Sequence, residues 1–84
     1  MIVTLIYKEK LNTITLPNKK EGQFWLGTDE EKEIISIEGS NEKWELKSSK
    51  KVKILEHKEK TIELKENTII KIQKGETIGL IFTE

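Results

Sequence analysis

The sequence predicts an all-β fold, antiparallel and built as a two-sheet β-sandwich or a barrel. Three observations lead there. Apolar residues recur with a period of two along almost the whole chain, the repeat of a strand with one covered face. Turn signals recur every 8–11 residues and divide the chain into about nine short segments. Those segments are rich in β-branched and aromatic residues, which favour strands.

Taken in order, IVTLIY (2–7) reads as the first strand, and KEKLN as a polar turn. NTITLP (12–17) puts Ile14 and Leu16 on one face, and Pro17 closes it. QFWLG (23–27) places Phe24 and Leu26 on one side and Trp25 on the other. EIISIE (33–38) and the turn GSNE lead into EKWELK (42–47), with Trp44 and Leu46 inward between charged neighbours. SSK suits a tight hairpin into KVKILE (51–56), where Val52 and Ile54 share a face. HKEK turns into TIELK (61–65), then TIIKI (68–72). A Gly-containing turn, QKGE, precedes TIGLIFT (77–83), whose Ile78, Leu80 and Phe82 lie on one face.

The sole helical candidate is TDEEKEII, which has Thr28 or Asp29 as a cap and acids in its first turn. A β-branched run follows at once, which limits it to a single turn. About twenty-five residues fall on apolar faces, each contributing roughly 1.5–3 kcal/mol when buried, before conformational entropy is subtracted. That is a core for one domain of 84 residues with little room for an interior ligand.

Charge bounds the partners. Fifteen basic residues, all lysine, balance fifteen acidic ones. A neutral chain without arginine lacks both the surplus that phosphate backbones require and the planar fork that grips a phosphate at two points. Nucleic acid is therefore not an expected partner. With no cysteine, neither a disulfide nor a thiolate metal site is available. No apolar run reaches the ~18 residues of a membrane span, and MIVTLIYKEK lacks the basic start and long apolar core of a signal peptide. The segment is expected to be soluble, cytosolic and without direct membrane contact.

Reaction chemistry finds few residues to use. His57 is the lone histidine, set among charged neighbours in a turn, and a solvated role is its plain reading. Asp29, Glu30 and Glu31 offer oxygen ligands for a hard cation, but the EF-hand spacing is absent and Lys32 intrudes. The same acids lack the facing separation of catalytic carboxylate pairs. Gly27-Thr28 begins like a phosphate loop, yet no second glycine and no Gly-Lys-Ser/Thr follows. Trp25 and Trp44 among lysines suggest a stacking platform in an OB-like barrel. Trp44, however, is in phase with Leu46 and reads as core. Trp25 is out of phase with its neighbours and sits either under a loop or on an exposed patch, where it would mark a protein contact. No cofactor is expected.

The order FWLGTDEEKEIISI, NEKWEL, KKVKIL, TIELKENTIIKIQ, TIGLIF resembles a forkhead-associated (FHA) domain, a two-sheet β-sandwich of the SMAD/FHA kind. In that family a strand ends in Gly-Arg before an acidic loop and an Ile-rich strand, and a leucine-led segment precedes the last strands; here that segment runs from Leu64 to Ile72. MIVTLIYKEKLNTITLP, the DEEKEI loop and GLIFTE resemble more narrowly the amino-terminal FHA-like domain of the EssC/YukB family. Those are membrane-anchored FtsK/SpoIIIE-type ATPases of Gram-positive type VII (ESX, WXG100) secretion. The resemblance implies one FHA-like domain over residues 1–84, the first of a tandem pair, on the cytoplasmic side of the cell membrane in a longer ATP-binding protein.

Phosphothreonine-reading members use an Arg after the glycine, a Ser and a His in the next loop and an Asn in a later one. Here Thr28 stands at the Arg position, GSNE supplies Ser40 and Asn41 without His, the stretch at Ser48 and Ser49 lacks Asn-Gly-Thr, and the next loop reads Glu56-His57-Lys58. Each lost charge-assisted contact costs ~1.5–3 kcal/mol. The resemblance therefore implies a non-enzymatic protein-interaction and assembly module. Its contacts would be Trp25 and the loop tips at Gly27, Thr28, Ser40, Asn41, Ser48, Ser49 and His57, and its partners a tandem neighbour, secretion components or substrates. The rivals are a phosphopeptide reader using Lys32, Lys50, Lys51 or Lys58, and a small OB-like nucleic-acid binder.

Overall fold

A computed structural model describes residues 1–49 and 51–84. Nine strands follow one another: β1 (Ile2–Tyr7), β2 (Lys10–Thr15), β3 (Gly22–Leu26), β4 (Ile35–Ser40), β5 (Lys43–Ser48), β6 (Val52–Ile54), β7 (Thr61–Glu63), β8 (Ile69–Lys74) and β9 (Thr77–Thr83). They form two antiparallel sheets, one ordered β2-β1-β9-β8-β6 and the other β3-β4-β5-β7. The described residues include no helix, so TDEEKEII forms an irregular loop leading into β4.

Three connections are two-residue hairpins. Tyr7 pairs with Lys10, Ser40 with Lys43 and Lys74 with Thr77. Lys8-Glu9 and Asn41-Glu42 both have positive φ at each residue, the signature of type I′ turns, whose twist matches that of the strands they join. Gly75 alone is positive in the third, at the position a type II′ turn reserves for glycine. The polar turn expected at KEKLN is thus only Lys8-Glu9, and Lys10 and Leu11 already belong to β2. A left-handed conformation costs a side-chain-bearing residue about 1–2 kcal/mol. Glu42→Gly would complete an Asn-Gly turn and is expected to stabilise the domain by about 0.5–1 kcal/mol, after the entropy of the freer unfolded chain is deducted. A rise in Tm of a few degrees in thermal melts checks this; an unchanged or lower Tm would mean the turn carries no strain.

β5 and β6 are not paired as the hairpin expected at SSK would require. β5 lies in the four-stranded sheet and β6 pairs with β8 in the five-stranded one, so the chain crosses between layers here. Ser49 carbonyl accepts from Val52 N–H and closes the corner. β3 begins at Gly22 and ends at Leu26, and β4 begins at Ile35, which leaves Ile34 as a buried loop residue.

The core lies between the sheets. Among the described residues sixteen apolar ones are buried, including Val3, Leu5, Tyr7, Leu26, Ile37, Leu46, Ile72 and Ile81. Trp44 is 2% exposed and meets Phe24 edge-on at 5.7 Å between ring centroids. The polar member on β9, Thr83, is satisfied: its hydroxyl donates to Lys65 carbonyl and accepts from Thr68 N–H, fastening the β7–β8 connection to the last strand.

The core is smaller than the roughly twenty-five expected, and β9 accounts for part of the difference. Ile78, Leu80 and Phe82 do share a face of β9, but Gly79, Ile81 and Thr83 are the residues that point inward. The three larger side chains sit on the outside of the five-stranded sheet.

Candidate functional site

Gly27 packs directly onto the loop it opens: a Cβ there would lie 2.2 Å from Glu31 carbonyl and 2.4 Å from Lys32 backbone. Thr28 N–H donates to Glu31 carbonyl and Glu31 N–H donates to Thr28 Oγ1, so the turn closes on itself. Asn12 on β2 donates to Gly27 carbonyl at 2.7 Å, linking the edges of the two sheets. Glu31 is drawn in by Lys74 from the end of β8, and Lys8 Nζ stands 3.5 Å from its second oxygen. That oxygen is shut off from solvent and has no hydrogen-bond partner among the described residues. Asp29 and Glu30 are exposed. The acidic loop is therefore a clasp between the layers in which Glu31 is the working acid, and Thr28 Oγ1 is already engaged within the turn.

The Lys74 hydrogen bond holds the Glu31 carboxyl below the usual glutamate range, against partial desolvation, and the charges of Lys74 and Lys8 add to the effect. A depressed folded pKa means that Glu31 favours the folded state above the ordinary carboxylate range, and that this contribution is lost as pH falls through the lower folded value. Glu31→Gln is expected to lower Tm at neutral pH, with the gap from the parent closing on acidification below the ordinary glutamate value. A gap that stays constant down to strongly acidic pH would show the clasp draws nothing from this charge.

The other sequence-selected residues fall in separate places. The β3–β4 register pairs Leu26 with Ile35 and Gly22 with Gly39, so Gly27 and Thr28 lie at one end of the four-stranded sheet and Ser40 and Asn41 at the other. Ser40 and Asn41 border a recess with residues 18–21. Ser48 and Ser49 are at the same end of β5 as Gly27 is of β3. Ser48 Oγ is buried without a partner among the described residues, and Ser48 lines a shallow recess that His57 also borders. His57 itself is exposed. Trp25 is 45% exposed on the outer face of the four-stranded sheet. Of the lysines weighed as phosphate contacts, Lys32, Lys51 and Lys58 border three different recesses, and Lys50 lies outside the described residues. Among the described residues, no three His, Cys, Asp or Glu side chains converge as metal ligands. No helix there is long and apolar enough to cross a membrane.

The outer faces of the two sheets differ sharply. On the four-stranded sheet, strand alternation presents Glu38, Lys43, Glu45, Lys47 and Glu63, with a Lys47–Glu38 pair at 2.7 Å. That hydrogen bond raises Lys47 above the ordinary lysine value. On the five-stranded sheet, Leu11, Ile6 and Leu80 form a row across β2, β1 and β9. The next row holds Thr4, Phe82 and Ile69, and Ile78 extends the apolar surface along β9. Leu11 is 71% exposed, Ile69 62%, Ile78 50% and Ile2 39%, so much of this surface meets solvent directly.

This surface was missed in sequence because β1 and β9 are apolar in both phases. IVTLIY and TIGLIFT offer large side chains to either side, and alternation cannot then say which set is inward. The signal was the double phase itself, which is typical of strands covered on both faces. No protein-family model, curated protein or solved structure matches this chain.

Proposed function

We propose that this chain is a non-enzymatic protein-interaction and assembly module that binds through the outer face of its five-stranded sheet. The observation that carries the reading is the contiguous apolar surface of Ile6, Leu11, Ile69, Ile78, Leu80 and Phe82 on a domain whose opposite face is charged. Isolated exposed apolar residues are ordinary, whereas a continuous apolar patch marks a contact site. An additional strand layer, helix or domain would give β1 and β9 the second cover their composition suits.

The narrower assignment, to the FHA-like amino-terminal domain of a type VII secretion ATPase, draws on the strand order and on the opening, acidic-loop and closing segments. It agrees with a two-sheet all-β fold. The residue differences at Thr28, Ser40-Asn41 and Ser48-Ser49 favour contact by surface complementarity over phosphate reading.

Photocross-linking tests the surface. A photoreactive phenylalanine at position 80 is expected to trap a protein in the native host, and one at position 63, on the charged sheet, is not. Trapping from position 25 or the loop tips with none from position 80 would overturn the assignment of the face. Phosphothreonine and unphosphorylated peptides are expected to behave alike in NMR titrations; a micromolar, phosphate-dependent affinity would return the domain to phosphopeptide reading.

A further inference from the structure

Resting on that reading of the face, we infer that its occupant is an amphipathic α-helix lying along β9, with acidic residues on the flank over β8 and β6. The shape of the surface comes first. The apolar stripe follows Ile78, Leu80 and Phe82 for about 13 Å, with Ile6 on one side and Ile69 on the other. From β1 to β8 it spans two strand spacings, about 10 Å, the width of one helix with its side chains. Three helical turns, about 16 Å, would cover its length.

Charge comes second. The charged strand residues that alternation directs to this face are Lys71 on β8 and Lys53 on β6, and neither forms an ion pair among the described residues. Glu84 lies beyond β9 at the far corner, where its backbone pairs with Ile2. On the β1–β2 side the outward strand residues, Leu11, Thr13 and Thr15, are uncharged, and charge is confined to the hairpin tip at residues 8–10. An occupant with acids on one flank and none on the other matches that asymmetry, and complementary charge fixes orientation as well as partner choice.

Charge argues against a second copy, because alternation directs no acidic strand residue to this face to meet Lys53 and Lys71.

The test uses the intact chain and two stapled 14-residue helical peptides. Both carry leucines on one face; one has glutamates along a flank, and the other has lysines there. The glutamate peptide is expected to shift backbone amides of β1, β8 and β9 and to bind at least about tenfold more tightly at low salt. The combined Lys53→Glu and Lys71→Glu variant should reverse that preference. Leu80→Lys should abolish binding of both peptides while leaving the NMR spectrum folded. Equal affinity for the two peptides, shifts confined to the four-stranded sheet, or a concentration-dependent dimer that Leu80→Lys dissolves would overturn the inference. Absence of peptide binding alongside trapping from position 80 would sink the helix and spare the contact surface. Absence of both would sink the two together.

Discussion

Trp44→Ala is expected to remove about 3–5 kcal/mol of stability, the usual cost of emptying a large aromatic site in a core. The ring is 2% exposed, stands edge-on to Phe24 and fills the end of the sandwich where β5 meets the chain after β7. Leu64 N–H donates to Trp44 carbonyl there, so the backbone on both sides is tied and collapse into the void is restricted. A domain of this size holds on the order of 5–10 kcal/mol in all, and the variant should be close to unfolding at moderate temperature. The measurable result is a fall in Tm of more than about 10 °C. Trp44→Phe retains an aromatic contact with Phe24 and should lose much less. A melt of the alanine variant within a degree or two of the parent would show that the sandwich does not rest on this ring.

Gly27→Ala is the second large effect, and it has a different cause. No cavity forms; instead a methyl group is driven to 2.2 Å from Glu31 carbonyl. Real carbon–oxygen contacts do not approach so closely, so residues 27–32 must move. Movement breaks the Thr28–Glu31 hydrogen bonds and the Asn12 contact to Gly27 carbonyl, and it pulls Glu31 from Lys74. Overpacking costs typically 1–3 kcal/mol, and the lost clasp adds to it, so a loss of at least ~2 kcal/mol is expected. Amide shifts should spread from the loop to β2, the Lys8-Glu9 turn and the end of β8, the elements it touches. A stability change below about 0.5 kcal/mol, within the range of ordinary surface substitutions, would show that the loop has an easy alternative conformation.

The strands were legible because their alternation is clean wherever charge separates apolar residues. Lys43–Ser48 and Val52–Ile54 show this well: Trp44, Leu46, Val52 and Ile54 face inward as their phase requires. Turn chemistry was less legible. Lys8-Glu9 adopts a type I′ turn with neither Asn nor Gly, so only the demands of the flanking strands impose it. The passage from β5 to β6 could not be read locally, because a short polar corner serves equally well to reverse a strand or to carry the chain to the other layer. Gly27 and Thr28 drew attention in the sequence as the start of a phosphate loop and as contact tips; their packing depends on Glu31 within the same loop and on Lys74 from a distant part of the chain. The apolar outer face stayed hidden because phase, the tool that locates strands, has no purchase on a strand that is apolar on both sides.

The position of β9 has a consequence for biosynthesis. The last of the nine strands sits between the first, β1, and β8. Until residue 83 has left the ribosome, the nascent chain holds two unpaired apolar edges that belong on either side of a missing strand. The larger sheet therefore closes only after the entire segment has emerged, by a pairing of maximal separation along the chain, which is slow to form. Holding factors that shield apolar edges during translation should act on this domain chiefly in that interval, and ribosome-stalled chains ending before β9 should bind them far longer than chains that include it.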